Sequence, residues 1–229
     1  MARAGDLRAA GAERGAIYLT REEVLVPAGC AGQFEAAAGE YLALLRKQTG
    51  LLRATVLNSL GVPARYTTLE QWQRREDAQA FARGAVLAEF LQAHAVLAQT
   101  RAERPVEAYE NVHRIVGNGR PVAAYLIDEV VGRGPGNLEQ FEASRGEVYR
   151  LRQAFGPGFS VSLLSRFLGG ANRYLIFGGF SNPGDDQRTA ERPEIQRYWE
   201  EHPSAQKLVI SAIRDPQALV AVADPSEPI

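Results

Sequence analysis

The octapeptide Gln33-Phe34-Glu35-Ala36-Ala37-Ala38-Gly39-Glu40 returns as Gln140-Phe141-Glu142-Ala143-Ser144-Arg145-Gly146-Glu147, a shift of 140 − 33 = 107 residues. A period of that length is too long for a solenoid unit and matches a small domain. The same shift pairs Tyr18 with Tyr125, Leu19 with Leu126, Glu22 with Glu129, Gly29 with Gly136, Leu44 with Leu151 and Val56 with Leu163. No gap is needed from about Tyr18 to Gln71. Further on, Phe90-Leu91-Gln92-Ala93-His94 aligns with Tyr198-Trp199-Glu200-Glu201-His202 at a shift of 108, which places one inserted residue in the loop before the second helix. Chance likeness between two amphipathic helices does not hold one register through the strands around them. The 229 residues therefore divide into two copies of one fold, each of about a hundred residues.

The composition supports two ordinary globular cores, with 45% hydrophobic residues. Lys+Arg 26 against Asp+Glu 27 leaves a formal charge of −1 and no basic field for a phosphate backbone, so a nucleic-acid partner is not expected. The single cysteine, Cys30, excludes an intrachain disulfide and a cysteine zinc cluster, and three histidines (His94, His113, His202) argue against a His-rich metal site. No apolar run has the length of a bilayer span. Residues 1–15 are Ala/Gly/Arg-rich, contain Asp6 and Glu13 and lack an apolar centre; they read as a flexible leader rather than a signal peptide, and a cytoplasmic location is expected.

The periodicity predicts the order of elements. Strand Ile17–Val26 stops at Pro27-Ala28-Gly29, and helix Gln33–Gln48 puts Phe34, Ala37, Tyr41, Leu44 and Leu45 on one face. Strands Leu52–Leu60 and Ala64–Gln73 form a hairpin about Gly61-Val62-Pro63; helix Asp77–Ala93 and strand Pro105–Val116 close the copy. After a linker at 117–121, the second copy runs strand Val122–Val131, helix Leu138–Phe155, strands Phe159–Leu168 and Arg173–Ser181, a looser helix about Pro193–Glu201 and a strand Lys207–Arg214. The expected boundaries are a leader 1–15, domains 16–116 and 122–216, and a C-terminal tail 217–229. Each copy is β-α-β-β-α-β, the ferredoxin-like α+β arrangement of an antiparallel sheet with both helices on one face. A bare second sheet face is poorly tolerated in so small a domain. Two copies in one chain can turn those faces together.

Leu69-Glu70-Gln71-Trp72, followed by Glu76-Asp77-Ala78-Gln79-Ala80-Phe81, resembles the strand-to-helix signature of the antibiotic biosynthesis monooxygenase superfamily of dimeric α+β barrels. Val24-Leu25-Val26-Pro27-Ala28-Gly29, leading into Phe34, is similar to the first strand and helix entry of that family. The likeness covers most of 17–116; residues 122–214 share it mainly through the repeat. It implies a barrel made by the two halves of one chain, an intrachain pseudo-dimer, with a further homodimer left open. The family includes cofactor-independent monooxygenases that oxidise phenols to quinones, haem-degrading enzymes and members without assigned activity, and fold alone does not choose among them.

Alternation along Arg65–Trp72 puts Tyr66, Thr68, Glu70 and Trp72 on one face and Arg65, Thr67, Leu69 and Gln71 on the other. In the family the tryptophan of this strand looks into the barrel cavity, so the resemblance assigns the first set to the interior. It implies Asn58, Trp72 and His113 as catalytic candidates, and Tyr66, Thr68, Glu70 and Arg114 as substrate-binding ones. Adjacent strand residues face opposite ways, so His113 and Arg114 cannot both point inward. The chemistry needs neither metal nor cofactor, because a deprotonated phenol can itself reduce dioxygen; the protein holds the aromatic, favours its anion and places polar groups near the peroxide-like intermediate. Each candidate also has a structural reading: Trp72 as a core aromatic, Asn58 as a turn-proximal polar residue. His94 and His202 sit at equivalent helix ends, where an imidazole satisfies terminal carbonyls. A haem-degrading member would carry a histidine about three turns beyond the tryptophan, where this chain has Ala82, Arg83 and Gly84.

By the shift of 107, Glu70 meets Phe177, Trp72 meets Gly179 and Asn58 meets Ser165, so any reaction centre is expected in the first half alone. Gly178-Gly179 would leave space where the tryptophan stands in the first copy. Against the enzyme stands a non-catalytic barrel that binds an apolar small molecule, or one whose sheet faces simply pack. An open cavity lined by Tyr66, Trp72 and Asn58 favours a ligand; one filled by Phe177, Leu175 and Trp72 does not.

Overall fold

The computed structural model describes residues 16–100, 106–117, 122, 124–132, 138–169, 173–202, 209–212 and 217–221. The leader expected at 1–15 and the centre of the linker lie outside the described residues. The first half comprises β1 (Ala16–Leu25), α1 (Ala31–Leu45), β2 (Leu51–Ser59), β3 (Arg65–Trp72), α2 (Arg75–Arg83), α3 (Ala85–Ala93), α4 (Ala95–Thr100) and β4 (Glu107–Val116). The second comprises β5 (Ala124–Gly132), α5 (Leu138–Phe155), β6 (Phe159–Phe167), β7 (Arg173–Phe180), α6 (Asp185–Ala190), α7 (Pro193–Glu201), β8 (Val209–Ala212) and β9 (Gln217–Ala221).

The single helix expected over 77–93 is two helices, broken at Gly84, whose backbone is extended (ψ 150°). A Cβ there would lie 3.0 Å from the Ala80 carbonyl oxygen, a tight contact that glycine avoids. The segment expected as a C-terminal tail includes strand β9, which joins the sheet.

All strand pairings are antiparallel, and they close on themselves. The order runs β7-β6-β4-β1-β3-β2-β9-β5, and β5 pairs back to β7; β8 extends the edge of β5 that β9 occupies. The halves exchange their last strands. β4 pairs with β1 of its own half and with β6 of the other; β9 pairs with β5 of its own half and with β2 of the other. The closed circuit leaves no open edge among these eight strands, and no half completes its sheet alone.

The two faces of β3 pack against different things. Tyr66 and Trp72 join Val24, Phe34, Tyr41, Val56 and Phe81 in a core between the sheet and the first-half helices. Leu69 joins Leu19, Leu57, Tyr109, Leu163, Leu175 and Phe177 in a core that draws on both halves, inside the barrel. The face assigned to the barrel interior on family grounds is thus the helix-facing one. The strand is buried on both sides, and amphipathic residues lie on each.

The hairpins fix the repeat more finely than the sequence does. Gly50 and Gly158 both adopt left-handed φ (78° and 65°), and their carbonyls accept from the amides of Gln73 and Ser181. Matching bulges set Leu51/Arg53 against Trp72/Gln71, and Phe159/Val161 against Phe180/Gly179. All of these pairs differ by 108 (158 − 50, 180 − 72). The inserted residue therefore falls before the hairpin, in the stretch where α5 is longer than α1 (18 against 15 residues), not in the later loop. The counterpart of Glu70 is accordingly Gly178 rather than Phe177, that of Trp72 is Phe180 rather than Gly179, and that of Asn58 is Arg166 rather than Ser165. No room is left at Gly179, where an added Cβ would lie 2.8 Å from Val161 and 2.9 Å from Val122.

Candidate functional site

The helix-facing side of the first-half sheet carries a buried polar stripe. Thr20 stands opposite Glu70, and Glu22 opposite Thr68, across β1 and β3. Their exposures are 5%, 3%, 8% and 6%, a concentration of polar groups that requires partners at this depth. Glu70 is the hub. It accepts from the Thr20 hydroxyl at 2.9 Å, from the Tyr41 hydroxyl at 2.6 Å and from the Trp72 indole N–H at 3.3 Å. Tyr41 reaches it because α1 presents Phe34, Ala37, Ala38, Tyr41, Leu42 and Leu45 to the sheet at helical spacing. Trp72 is wholly buried, with Phe81 5.6 Å away between ring centroids.

A second polar group lies at the far end of the same face. Asn58 stands opposite Tyr66, whose hydroxyl donates to Glu35 at 2.7 Å. The Asn58 Oδ1 is buried and has no hydrogen-bond partner among the described residues. Burial, and the hydrogen bond and negative charge of Glu35, push the Tyr66 phenol up to about 12. Tyr66 sits six positions from Trp72, so Asn58 and Trp72 are roughly 20 Å apart at ~3.3 Å per residue, and they do not form one constellation.

The other two candidates lie elsewhere. His113 packs beneath α5 in the second half, where its Nε2–H donates to the Glu142 carbonyl at 2.8 Å. Gly146 makes room for it: a Cβ there would lie 2.9 Å from the imidazole. A bulge between Asn111 and His113 displaces the β4 register, and Arg114 is exposed. The sequence reading missed Thr20, Glu22, Tyr41 and Glu35. Thr20 and Glu22 share parity with Tyr18 and Val24 on β1, and Tyr41 lies on the apolar face of α1; those signals could have found them.

The second half keeps one of these groups and lacks the other. Tyr174 donates to Glu142 at 2.8 Å, repeating Tyr66–Glu35, and Arg166 at the Asn58 position bridges Glu142 (3.0 Å) and Glu110 (2.6 Å). The Thr68, Glu70 and Trp72 positions hold Ile176, Gly178 and Phe180, and the Tyr41 position (41 + 107) holds Val148. No carboxylate stands at the Glu70 position of the second half; the acids that gather donors there are Glu142 and the buried Asp185, at other places in the fold.

Raising the pH gives a direct check on the Tyr66 assignment. Its folded pKa lies above the ordinary phenol value near 10. Its contribution to stability is therefore complete below pH 10 and is lost as the pH rises through 12. Absorbance at 295 nm should show one fewer phenol ionising near pH 12 in Tyr66→Phe; an unchanged titration curve contradicts the assignment.

Two split β-α-β-β-α-β units, closed into one barrel by exchanged strands, define the chain as a tandem ferredoxin-like α+β protein. Residues 21–96, within the first half, match the family model "antibiotic biosynthesis monooxygenase". The chain is similar in structure to a candidate monooxygenase from Lactobacillus acidophilus NCFM (TM-score 0.67, 12% identity, 91% of this chain and 95% of that one). It is similar also to an anthrone oxidase-like protein (0.65, 11%, 95% and 96%) and to a ferredoxin-fold protein from Listeria monocytogenes related to antibiotic biosynthesis monooxygenases (0.52, 10%, 91% and 95%). At these identities the likeness is one of fold, extending over nearly the whole length of both chains. No protein of curated function matches the sequence. No helix among the described residues is long and apolar enough to cross a membrane.

Proposed function

We propose that the chain is a cofactor-independent monooxygenase of the antibiotic biosynthesis monooxygenase type, acting on a small aromatic or phenolic substrate in its first half. One observation carries this reading. The Glu70 hub, with Thr20, Tyr41 and Trp72, occurs in the half that matches the family, and its counterparts in the other half are apolar or glycine. A buried carboxyl group is a costly way to fill a core, and at the matching position of β7 the second half has Gly178 instead.

The chemistry follows from the groups present. A carbon acid such as an anthrone gives its proton to the Glu70 carboxylate. The resulting anion passes one electron to dioxygen, and the two radicals join as a peroxide at that carbon. Loss of water then leaves a carbonyl, so that CH2 and O2 become C=O and H2O. Thr20 and Tyr41 orient Glu70, and the Trp72 indole offers a flat apolar wall. Asn58 and Tyr66 line the far end of the face, where the unpartnered Asn58 amide oxygen can accept from a substrate hydroxyl. His113 and Arg114 have no place in this scheme. Entry of substrate requires Trp72 and Phe81 to part, since the indole has no exposure with the site closed.

That closure favours a second reading, a non-catalytic barrel whose faces simply pack. Oxygen consumption with a panel of phenols and anthrones separates the two. The oxygenase reading expects one O2 consumed per carbonyl formed, with a loss of at least ~100-fold in Glu70→Gln. No uptake with any member of the panel, or uptake unchanged in Glu70→Gln and Trp72→Phe, gives the second reading.

A further inference from the structure

We propose that the second half binds a small planar oxyanion, of the nitrate, formate or bicarbonate type, between α5, α6 and the sheet, with Arg152, Ser162 and Thr189 as its donors. Each of these residues has a buried polar atom without a hydrogen-bond partner: Arg152 Nε, Ser162 Oγ and Thr189 Oγ1. Ser162 and Thr189 are 1% and 0% exposed, a depth at which a hydroxyl without a partner is costly. The repeat brings the three together. Arg152 takes the place of Leu45 (45 + 107), four positions beyond Val148 on the face that α5 turns to the sheet. Ser162 and Thr189 take the places of Ala54 and Phe81 (54 + 108, 81 + 108). Asp77 and Asp185, which lie against the left-handed Gly50 and Gly158, fix that shift in α2 and α6. Leu45, Ala54 and Phe81 pack in one core of the first half. In the second half Thr189 closes on the end of α5: a Cβ on Gly156 would lie 3.0 Å from its Oγ1, and the Gly156 amide donates to the Arg152 carbonyl at 2.8 Å. Ser162 stands opposite Gly178, which has no side chain to offer it.

The donors state the ligand's chemistry. The first half seals this layer with apolar side chains; the second lines it with a guanidinium and two hydroxyls. A buried cation without a partner is strongly unfavourable, and an anion in contact removes that penalty. The groups around Arg152 do not supply it. Tyr149 gives its hydroxyl to the Leu163 carbonyl, and Arg145 lies over the rings of Phe141 and Trp199. Asp186 attracts the guanidinium but makes no ion pair with it among the described residues. Burial pushes the Arg152 guanidinium down from its ordinary value, and the positive Arg145 adds to that, against Tyr149 and Asp186. Its planar fork fits two oxygens of one ligand, and the hydroxyls of Ser162 and Thr189 can donate to the same group. Val148, Gly178 and Thr189 are smaller than Tyr41, Glu70 and Phe81, whose places they take. Arg152 takes back part of that volume, which limits the occupant to a few non-hydrogen atoms. Arg152 is partly exposed, so an anion has a way in beside its stem.

Sodium nitrate, formate and bicarbonate titrated in turn into the full chain, at constant ionic strength held with gluconate and followed by calorimetry, test this. Saturable binding of one anion per chain is expected for at least one of the three, which also separates them. Chloride should bind about 10-fold more weakly, because a sphere cannot span the guanidinium fork. Arg152→Leu installs the residue that the first half has at this position and should weaken the anion about 10-fold or more. Thr189→Val keeps the shape, loses one donor and should weaken it by a smaller factor. Glu70→Gln should leave binding unchanged, which keeps this site independent of the oxygenase reading. Absence of saturable binding for all three anions, chloride bound as tightly, or undiminished binding in Arg152→Leu overturns the proposal. The comparison among anions needs no variant, so a folding defect in Arg152→Leu leaves the test intact.

Discussion

Trp72→Ala should lower the free energy of unfolding by about 3–5 kcal/mol, the usual cost of truncating a fully buried large aromatic. The indole has no exposure and lies against Phe81 and the first-half core. Removing it opens a cavity between sheet and helices and strands one of the Glu70 hydrogen bonds. Urea unfolding followed by circular dichroism measures the loss. Trp72→Phe should cost less, about 1–2 kcal/mol, because the ring contact survives and only the N–H and part of the volume go. Both variants should unfold in one transition, since β4 and β9 each belong to the sheet of the other half. A loss below about 1 kcal/mol for Trp72→Ala is incompatible with the packing described.

The fold was legible because its evidence is redundant. The recurring octapeptide marks α1 and α5, and the strand alternation and glycine turns around it supply nearly every element. What escaped has physical reasons. The break at Gly84, where a Cβ would crowd the Ala80 carbonyl, interrupts an apolar pattern that continues through both helices and so is not displayed by it. Strand β9 is five residues of ordinary composition that become a strand only because β2 and β5 offer edges. The sequence pattern puts the inserted residue in the later loop because helices absorb a change of length without changing their pattern. The left-handed Gly50 and Gly158 were the available markers, and they differ by 108.

The site was legible in its residue types and not in its geometry. Glu70, Trp72, Tyr66 and Thr68 do share a face, as period-2 alternation requires. Alternation cannot say which face meets the helices, because β3 is buried on both and polar side chains stand on each. Nor can a strand signature reveal that Asn58 pairs with Tyr66 instead of approaching Trp72. In the sequence Tyr41 belongs to the apolar face of α1; its hydroxyl becomes the shortest contact to Glu70 only when α1 docks.

Glu70→Leu should be about as damaging as Trp72→Ala, for a different reason. Leucine fills comparable space but accepts no hydrogen bond, so the donors of Thr20, Tyr41 and Trp72 all lose their acceptor. Each stranded buried donor costs about 1–3 kcal/mol, and partial relaxation brings the expected total to about 3–5 kcal/mol. Glu70→Gln keeps one acceptor oxygen and should lose about 1–2 kcal/mol. The decisive variant is the double one. Tyr41→Phe removes the strongest stranded donor, so Tyr41→Phe/Glu70→Leu should be more stable than Glu70→Leu alone, with a coupling of about 1–2 kcal/mol. Urea midpoints for the four proteins of this cycle give that coupling directly. If Glu70→Leu is neutral or stabilising, the carboxyl group holds nothing together, as with buried ions that apolar residues replace at no cost. A stable Glu70→Gln protein is the useful case for function. It separates loss of the proton acceptor from loss of the fold, and oxygen uptake measured on it reports on Glu70 alone.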